Sequence, residues 1–124
     1  MSDISNEILI NYLRKGQISK FNKVRPSKKI SFFGEDFSDL QLQHVDFAQC
    51  DLSKCDFSGS DLSMAKFLQT KCNGADFSNC ILSNIEVHNS RFNEAYFEKT
   101  RIEASQFMNC FFENCEFDNV SFIK

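Results

Sequence analysis

"CDLSKCDFSGSDLSMAKF", residues 50–67, sets a cysteine beside an aspartate twice, five residues apart, and places a third aspartate five further on. Such a run reads either as a metal or redox cluster or as one window on a five-residue beat. The rest of the chain decides for the beat. Every fifth residue from Phe32 to Phe122 is apolar, nineteen positions with no insertion, and these hold twelve of the fifteen phenylalanines. Two residues earlier in each unit runs a second column, from Ile30 to Val120, which is small from residue 45 onward except at Ile85.

A period of five fits neither a helix at 3.6 residues per turn nor a flat strand at 2. It fits a coil that turns a corner every five residues, sending one large and one small side chain inward per side and three outward. Four such sides stack residues twenty apart, and residues twenty apart do resemble one another. One ladder is Phe37, Phe57, Phe77, Phe97 and Phe117; the next is Leu42, Leu62, Leu82, Ile102 and Phe122. The third is Phe47, Phe67, Val87 and Phe107, and the fourth, Phe32, Leu52, Cys72, Phe92 and Phe112, is mixed. The expected fold is an all-β solenoid over residues 30–124. At twenty residues per coil this gives about 4.75 coils, roughly 23 Å tall at the usual strand spacing.

Units such as "CDLSK", "CDFSG", "SDLSM" and "ADFSN" resemble the pentapeptide repeat family, whose pattern is A(D/N)LXX with Leu or Phe at the centre. The resemblance runs almost uninterrupted over residues 30–124, with "LQLQH", "TKCNG" and "IEVHN" as single-unit departures. It implies a right-handed quadrilateral β-helix. It also implies a binding role, since some members resemble duplex DNA in shape and charge and bind DNA gyrase as rod-like dimers.

Residues 1–29 form a separate head. Seven cations against Asp3 and Glu7 give it a net +5, so the acidic body carries −8 of the overall −3. A helix is expected over residues 3–15, capped by Asp3 or Ser5 and stopped by Gly16, with Ile4, Ile8, Leu9, Tyr12 and Leu13 as its apolar stripe. Ile18, Phe21 and Val24 follow as a second apolar strip before Pro26. The head is expected to cover the first coil, as terminal caps do in solenoids. At the other end the sequence stops within a repeat. Phe111, Phe117, Phe122 and Ile123 are expected to form an edge suited to homodimerisation through the C-terminal coil.

Chemistry is sparse. Five cysteines fall in the small inward column and Cys72 in the large one, so they read as buried filler, and no two small-slot cysteines lie twenty apart. His44 and His88 face outward, away from the thiols, so neither metal nor cofactor is expected. No phosphate loop or nucleophile elbow is present, which excludes the familiar enzyme signatures. The start lacks the basic-then-apolar order of a signal peptide and no apolar run is long enough to span a membrane. A small bacterial cytoplasmic protein is the expectation, with neither membrane nor direct nucleic-acid contact.

Sorting outward residues by side leaves one acidic wall. Asp36, Asp39, Asp56, Asp76, Glu98, Glu116 and Asp118, with Glu35, face Lys99 alone, for a net −7. Leu68 and Met108, with Met64 nearby and His88 between the stacked pair, make a weaker apolar strip. The expected function is a non-enzymatic protein-binding scaffold with an unidentified protein partner. The alternative is an acidic DNA mimic that modulates DNA gyrase or another DNA-binding enzyme.

Overall fold

In a computed structural model, which describes residues 4–123, the chain climbs a solenoid in which every stacked pair is twenty residues apart. Two helices, α1 (Asn6–Arg14) and α2 (Ile18–Val24), precede eight short strands: β1 (Ile30–Ser31), β2 (Cys50–Asp51), β3 (Lys66–Leu68), β4 (Ile81–Ser83), β5 (Glu86–His88), β6 (Arg101–Glu103), β7 (Gln106–Met108) and β8 (Ser121–Ile123). All pairings are parallel. β1 pairs with β2, β3–β5–β7 form one wall and β4–β6–β8 another. Single bridges such as Asp36↔Asp56↔Asp76 and Lys71↔Arg91 continue the same register along the rest of the prism.

The backbone ladder has a simple rule. A central residue donates its N–H nineteen residues ahead, as Phe57 does to the Asp76 carbonyl at 2.8 Å. The residue before it donates twenty-one residues back, as Asp56 does to Glu35 at 3.0 Å. Corners are made at the fifth position of each unit, where the backbone turns left-handed. Asn79, Asn84, Asn89, Asn109, Asn114 and Asn119 lie at φ 53–58°, as do the glycines Gly34, Gly59 and Gly74 at 70–75°. Asparagine and glycine tolerate this region best, which accounts for their clustering in that column.

The large inward column is buried from Phe32 to Ile102, and its phenylalanines stack in register. Phe57–Phe77, Phe77–Phe97 and Phe97–Phe117 lie 5.2, 5.4 and 5.0 Å apart between centroids and within 11° of parallel. The small column does more than fill space. Ser60, Thr70, Ser90 and Thr100 each donate a hydroxyl to the carbonyl of the central residue twenty-three positions back, at 2.6–3.1 Å. The thiols of Cys55, Cys80 and Cys115 do the same toward Phe32, Phe57 and Phe92. The slot selects small size, which Ala65, Ala75 and Ala95 satisfy without any donor, and where cysteine, serine or threonine stands there from Cys55 onward its donor finds this carbonyl.

The head closes the first coil. α1 starts at Asn6, with Ser5 as its cap accepting from the Ile8 N–H; Asp3, the other expected cap, lies outside the described residues. Leu9 and Leu13 are fully buried, but Ile8 is 46% exposed, so the expected stripe is too wide by that residue. Helices carry neighbouring residues about 100° apart, and with Leu9 and Leu13 facing the coil Ile8 is turned off that line. Residues 18–24 form a helix rather than only an apolar strip, too short for its periodicity to identify, and anchored by Phe21 against Phe32 and Phe47 at 6.2 and 6.1 Å.

Side chains of the head replace the hydrogen bonds that a preceding coil would give. Asn22 donates to the His44 carbonyl at 2.8 Å and accepts from the Asp46 N–H at 2.9 Å, as a strand neighbour would. Arg25, whose side chain is only 7% exposed, spans the Asp46 and Ala48 carbonyls at 2.6 and 2.5 Å. Asn6 reaches the Ser31 carbonyl and Arg14 that of Asp36. Arg25→Ala therefore strands two carbonyls at the edge, and we expect a loss of about 2–4 kcal/mol in urea unfolding. Arg25→Lys, which keeps the charge but not the fork, should recover only part of that loss. A variant as stable as the parent would show that the edge does not need this arginine.

Candidate functional site

The acidic wall is built from a local turn. Asp36, Asp56 and Asp61 each accept, at Oδ1, both the N–H and the hydroxyl of the serine two residues on, at 2.9 and 2.6 Å. Asp46, Asp51 and Asp76 accept the equivalent N–H alone. This is an Asx-type turn repeated coil after coil, so the aspartate before the central residue first serves the backbone. The donors from Ser38 hold the Asp36 carboxyl below the usual carboxylate range. Among the described residues, no hydrogen bond goes to Oδ2 of Asp36, Asp56 or Asp76.

Bridge pairing stacks Asp36, Asp56, Asp76, Tyr96 and Glu116 in one column, and Glu98 and Asp118 lie on the other flank of the same wall, twenty residues apart. Asp39 leans over the corner glycine Gly59, where an added Cβ would clash with its carboxylate oxygen. Two features of this wall escaped the sequence reading. Arg14 from α1 pairs with Glu35 at 3.1 Å and lies 6.0 Å above the Phe37 ring, so the head offsets one charge of the first rung. Tyr96, 45% exposed, interrupts the carboxylate column. Arg14 was identifiable as a cation but not as a partner, because nothing periodic links it to residue 35.

At the last coil, Ile102, Phe107, Phe112, Phe117 and Phe122 line an open apolar depression of about 300 Å³. Phe122 and Ile123 are 68% and 50% exposed. Phe111 stands apart on an outer wall, its ring under the Arg91 guanidinium at 5.0 Å. Leu68, His88 and Met108 stack as strand partners in β3, β5 and β7, with Met108 and Met64 exposed.

All six cysteines are free. Cys50, Cys55, Cys72 and Cys80 are buried, whereas Cys110 and Cys115, expected to be buried as well, are half-buried because no described coil covers the last one. Loss of solvation pushes the Cys50 and Cys55 thiols up to about 12. Cys72 is also held well above the ordinary thiol range by burial. Among the described residues no group of three or more His, Cys, Asp or Glu is placed to hold a metal, and no helix is long and apolar enough to cross a membrane.

A family profile described as Pentapeptide repeats matches residues 36–71 and 70–107, in eight copies. The chain belongs to the pentapeptide repeat family. No curated protein sequence matches it. Among solved structures, a pentapeptide repeat protein from Nostoc Pcc 7120 superposes with a TM-score of 0.67 at 19% identity, over 98% of this chain and 99% of that one. Another, from the cyanobacterium Cyanothece 51142, gives 0.52 at 11% identity, over 77% and 82%. A third, from the thylakoid lumen of Arabidopsis thaliana, gives 0.47 at 25% identity; 72% of this chain is covered and 64% of that protein, just under two thirds of its length. The first two likenesses establish the fold.

In this pentapeptide repeat chain the thiols make a test of coil order. At pH 8, iodoacetamide should modify Cys110 and Cys115 first and reach the other four only on unfolding, as read by peptide mass mapping. A raised folded pKa also fixes a pH slope. The buried thiols keep their protons where the unfolded chain releases them, so stability is full below the ordinary value near 9 and falls as pH rises toward about 12. The urea midpoint should therefore be lower at about pH 10.5 than at pH 8. Uniform labelling of all six thiols in the folded protein would contradict the burial order.

Proposed function

We propose that this protein is a non-enzymatic binding scaffold that engages a protein partner through its acidic wall. The observation carrying this reading is the vertical alignment of Asp36, Asp56, Asp76 and Glu116, carboxylates fixed by their own turns or stacked in the same register, with Lys99 the single cation of that wall's units. A rigid row of oriented charges gives specificity and on-rate to macromolecular association. The depressions at the corner lined by Lys29, Gln49 and Gln69 are open, which suits an extended partner better than an enclosed small substrate.

A second reading, mimicry of duplex DNA before a gyrase-like enzyme, draws on the same wall. Its charge density counts against it. With Arg14 offsetting one charge, a net −6 over roughly 23 Å is one charge per ~3.8 Å, against about 1.7 Å for the duplex. The partner surface is expected to be basic in either case.

Two experiments separate these readings. A photo-crosslinker at Ser58, on the acidic wall, should capture one discrete protein partner, and Asp56→Lys with Asp76→Lys should abolish the adduct. The same crosslinker at Ser63, on the adjoining wall, should give none. Equal adducts from both walls would overturn the proposal. If mimicry operates, the parent protein inhibits supercoiling by purified gyrase and the doubly reversed variant does not; an unaffected reaction removes the second reading.

Self-association through the C-terminal coil belongs to the same proposal, supported by the apolar depression around Phe122. Sedimentation at tens of micromolar should show a dimer that Phe122→Glu converts to monomer, with about the same melting behaviour. A monomeric parent protein would end this part of the reading.

A further inference from the structure

The cations of the body are not evenly spread. Lys71 and Arg91 are bridge partners one coil apart on the same wall, and Lys29, at the end of the head, lines the same depression. Its volume is about 390 Å³, and Gln49, Gln69 and Asn89 complete the lining. These three amides occupy successive corners at φ 61, 54 and 53°, one above another, with Gln49 donating toward Gln69 at 3.4 Å. A ladder of amides thus runs up a corner of the prism, with cations along one side.

None of Lys29, Lys71 or Arg91 makes an ion pair among the described residues, although the body is acidic overall. The nearest carboxylate in sequence register, Asp51, accepts the N–H of Ser53 within its own turn. Arg91 is braced against the Phe111 ring, so its guanidinium is oriented before anything binds. On the other side of the corner stands the stacked Leu68, His88 and Met108 column.

We propose that this corner binds an extended, acidic protein segment. A chain laid along the prism axis would meet amide donors and acceptors at each coil, suited to its peptide groups. Its carboxylates would reach Lys71 and Arg91, and apolar side chains would rest on Leu68 and Met108. The cations repeat at about 4.8 Å and alternate side chains of an extended chain at roughly 6.7 Å; the long lysine and arginine stems take up that difference. A nucleic acid is disfavoured. Its affinity comes from many phosphate contacts, and three cations supply few.

The groove is a different surface from the acidic wall but shares its premise that the partner is a protein. Fluorescence anisotropy with labelled hexaglutamate in low salt, about 50 mM, tests it directly. The parent protein should bind, and Lys71→Gln with Arg91→Gln should weaken binding about tenfold or more. Lys15→Gln with Lys20→Gln, an equal change in net charge on the head and outside the lining of the depression, should leave it unchanged. All four side chains are partly or fully exposed, and melting curves confirm that each variant folds. Equal losses in both variants would overturn the site in favour of diffuse attraction. Oligothymidylate binding at least as tightly as the peptide would overturn the choice of partner. Absence of peptide binding would overturn the groove and leave the acidic-wall reading to its own substitutions at Asp56 and Asp76.

Discussion

Everything in this structure depends on the closure of each coil in twenty residues. Parallel stacking brings like positions together, so that one Phe column becomes a stack with centroids 5.0–5.4 Å apart from Phe57 to Phe117, and one aspartate column becomes a row of identical turns. An inserted residue would displace every later side chain from its ladder and every N–H from its acceptor nineteen residues ahead. That is a harsher constraint than in a globular core, where loops absorb insertions. It explains why departures such as Cys72 in a Phe and Leu column, or Ile85 in the small column, are changes of size with the register intact.

The same constraint decides what could be read from the sequence. Ladders were legible because a period of twenty compares each residue with its own stacking neighbours, and the burial of the large column from Phe32 to Ile102 follows that reading residue by residue. The stacking of Asp36, Asp56, Asp76 and Glu116 in one column follows from the same period. What stayed hidden has no period. Arg25 and Asn22 act once, at the edge where the stack begins, and their partners are backbone carbonyls that carry no side-chain signature. The groove around Lys71 and Arg91 was hidden differently, because its third cation, Lys29, lies outside the repeats.

Cysteine shows how a periodic slot can imitate chemistry. The pairs at 50 and 55 or 110 and 115 have the look of ligands, yet the backbone carbonyl twenty-three residues back is the partner of Cys55, Cys110 and Cys115. Cys50 tests the rule at its limit. Ile30 lies beneath it, but the position twenty-three residues back, Ser27, belongs to the head and is no central residue, and the Cys50 sulfur accepts from Arg25 at 3.8 Å instead of donating to a central carbonyl. The exception falls where the stack starts, so the hydrogen bond belongs to the stacking and not to the cysteine.

Aspartate presents the converse case, a structural letter that acquires a surface consequence. Its turn bonds use Oδ1, and stacking then aligns the other oxygens of Asp36, Asp56 and Asp76 without further design. The same turn occurs at Asp46, Asp51 and Asp61, where the units above and below carry lysine, arginine or neutral residues and no acidic row forms. The turn alone therefore does not make the wall acidic; the choice of acid on one side through successive coils does. Six units use an aspartate acceptor at this turn, while units with Lys71 or Tyr96 in its place keep the same turn without it, so the fold is indifferent to which wall collects the charge. The segregation of carboxylates to one wall, and of Lys71 and Arg91 to another, is thus the part of the sequence that folding leaves unexplained and binding would use.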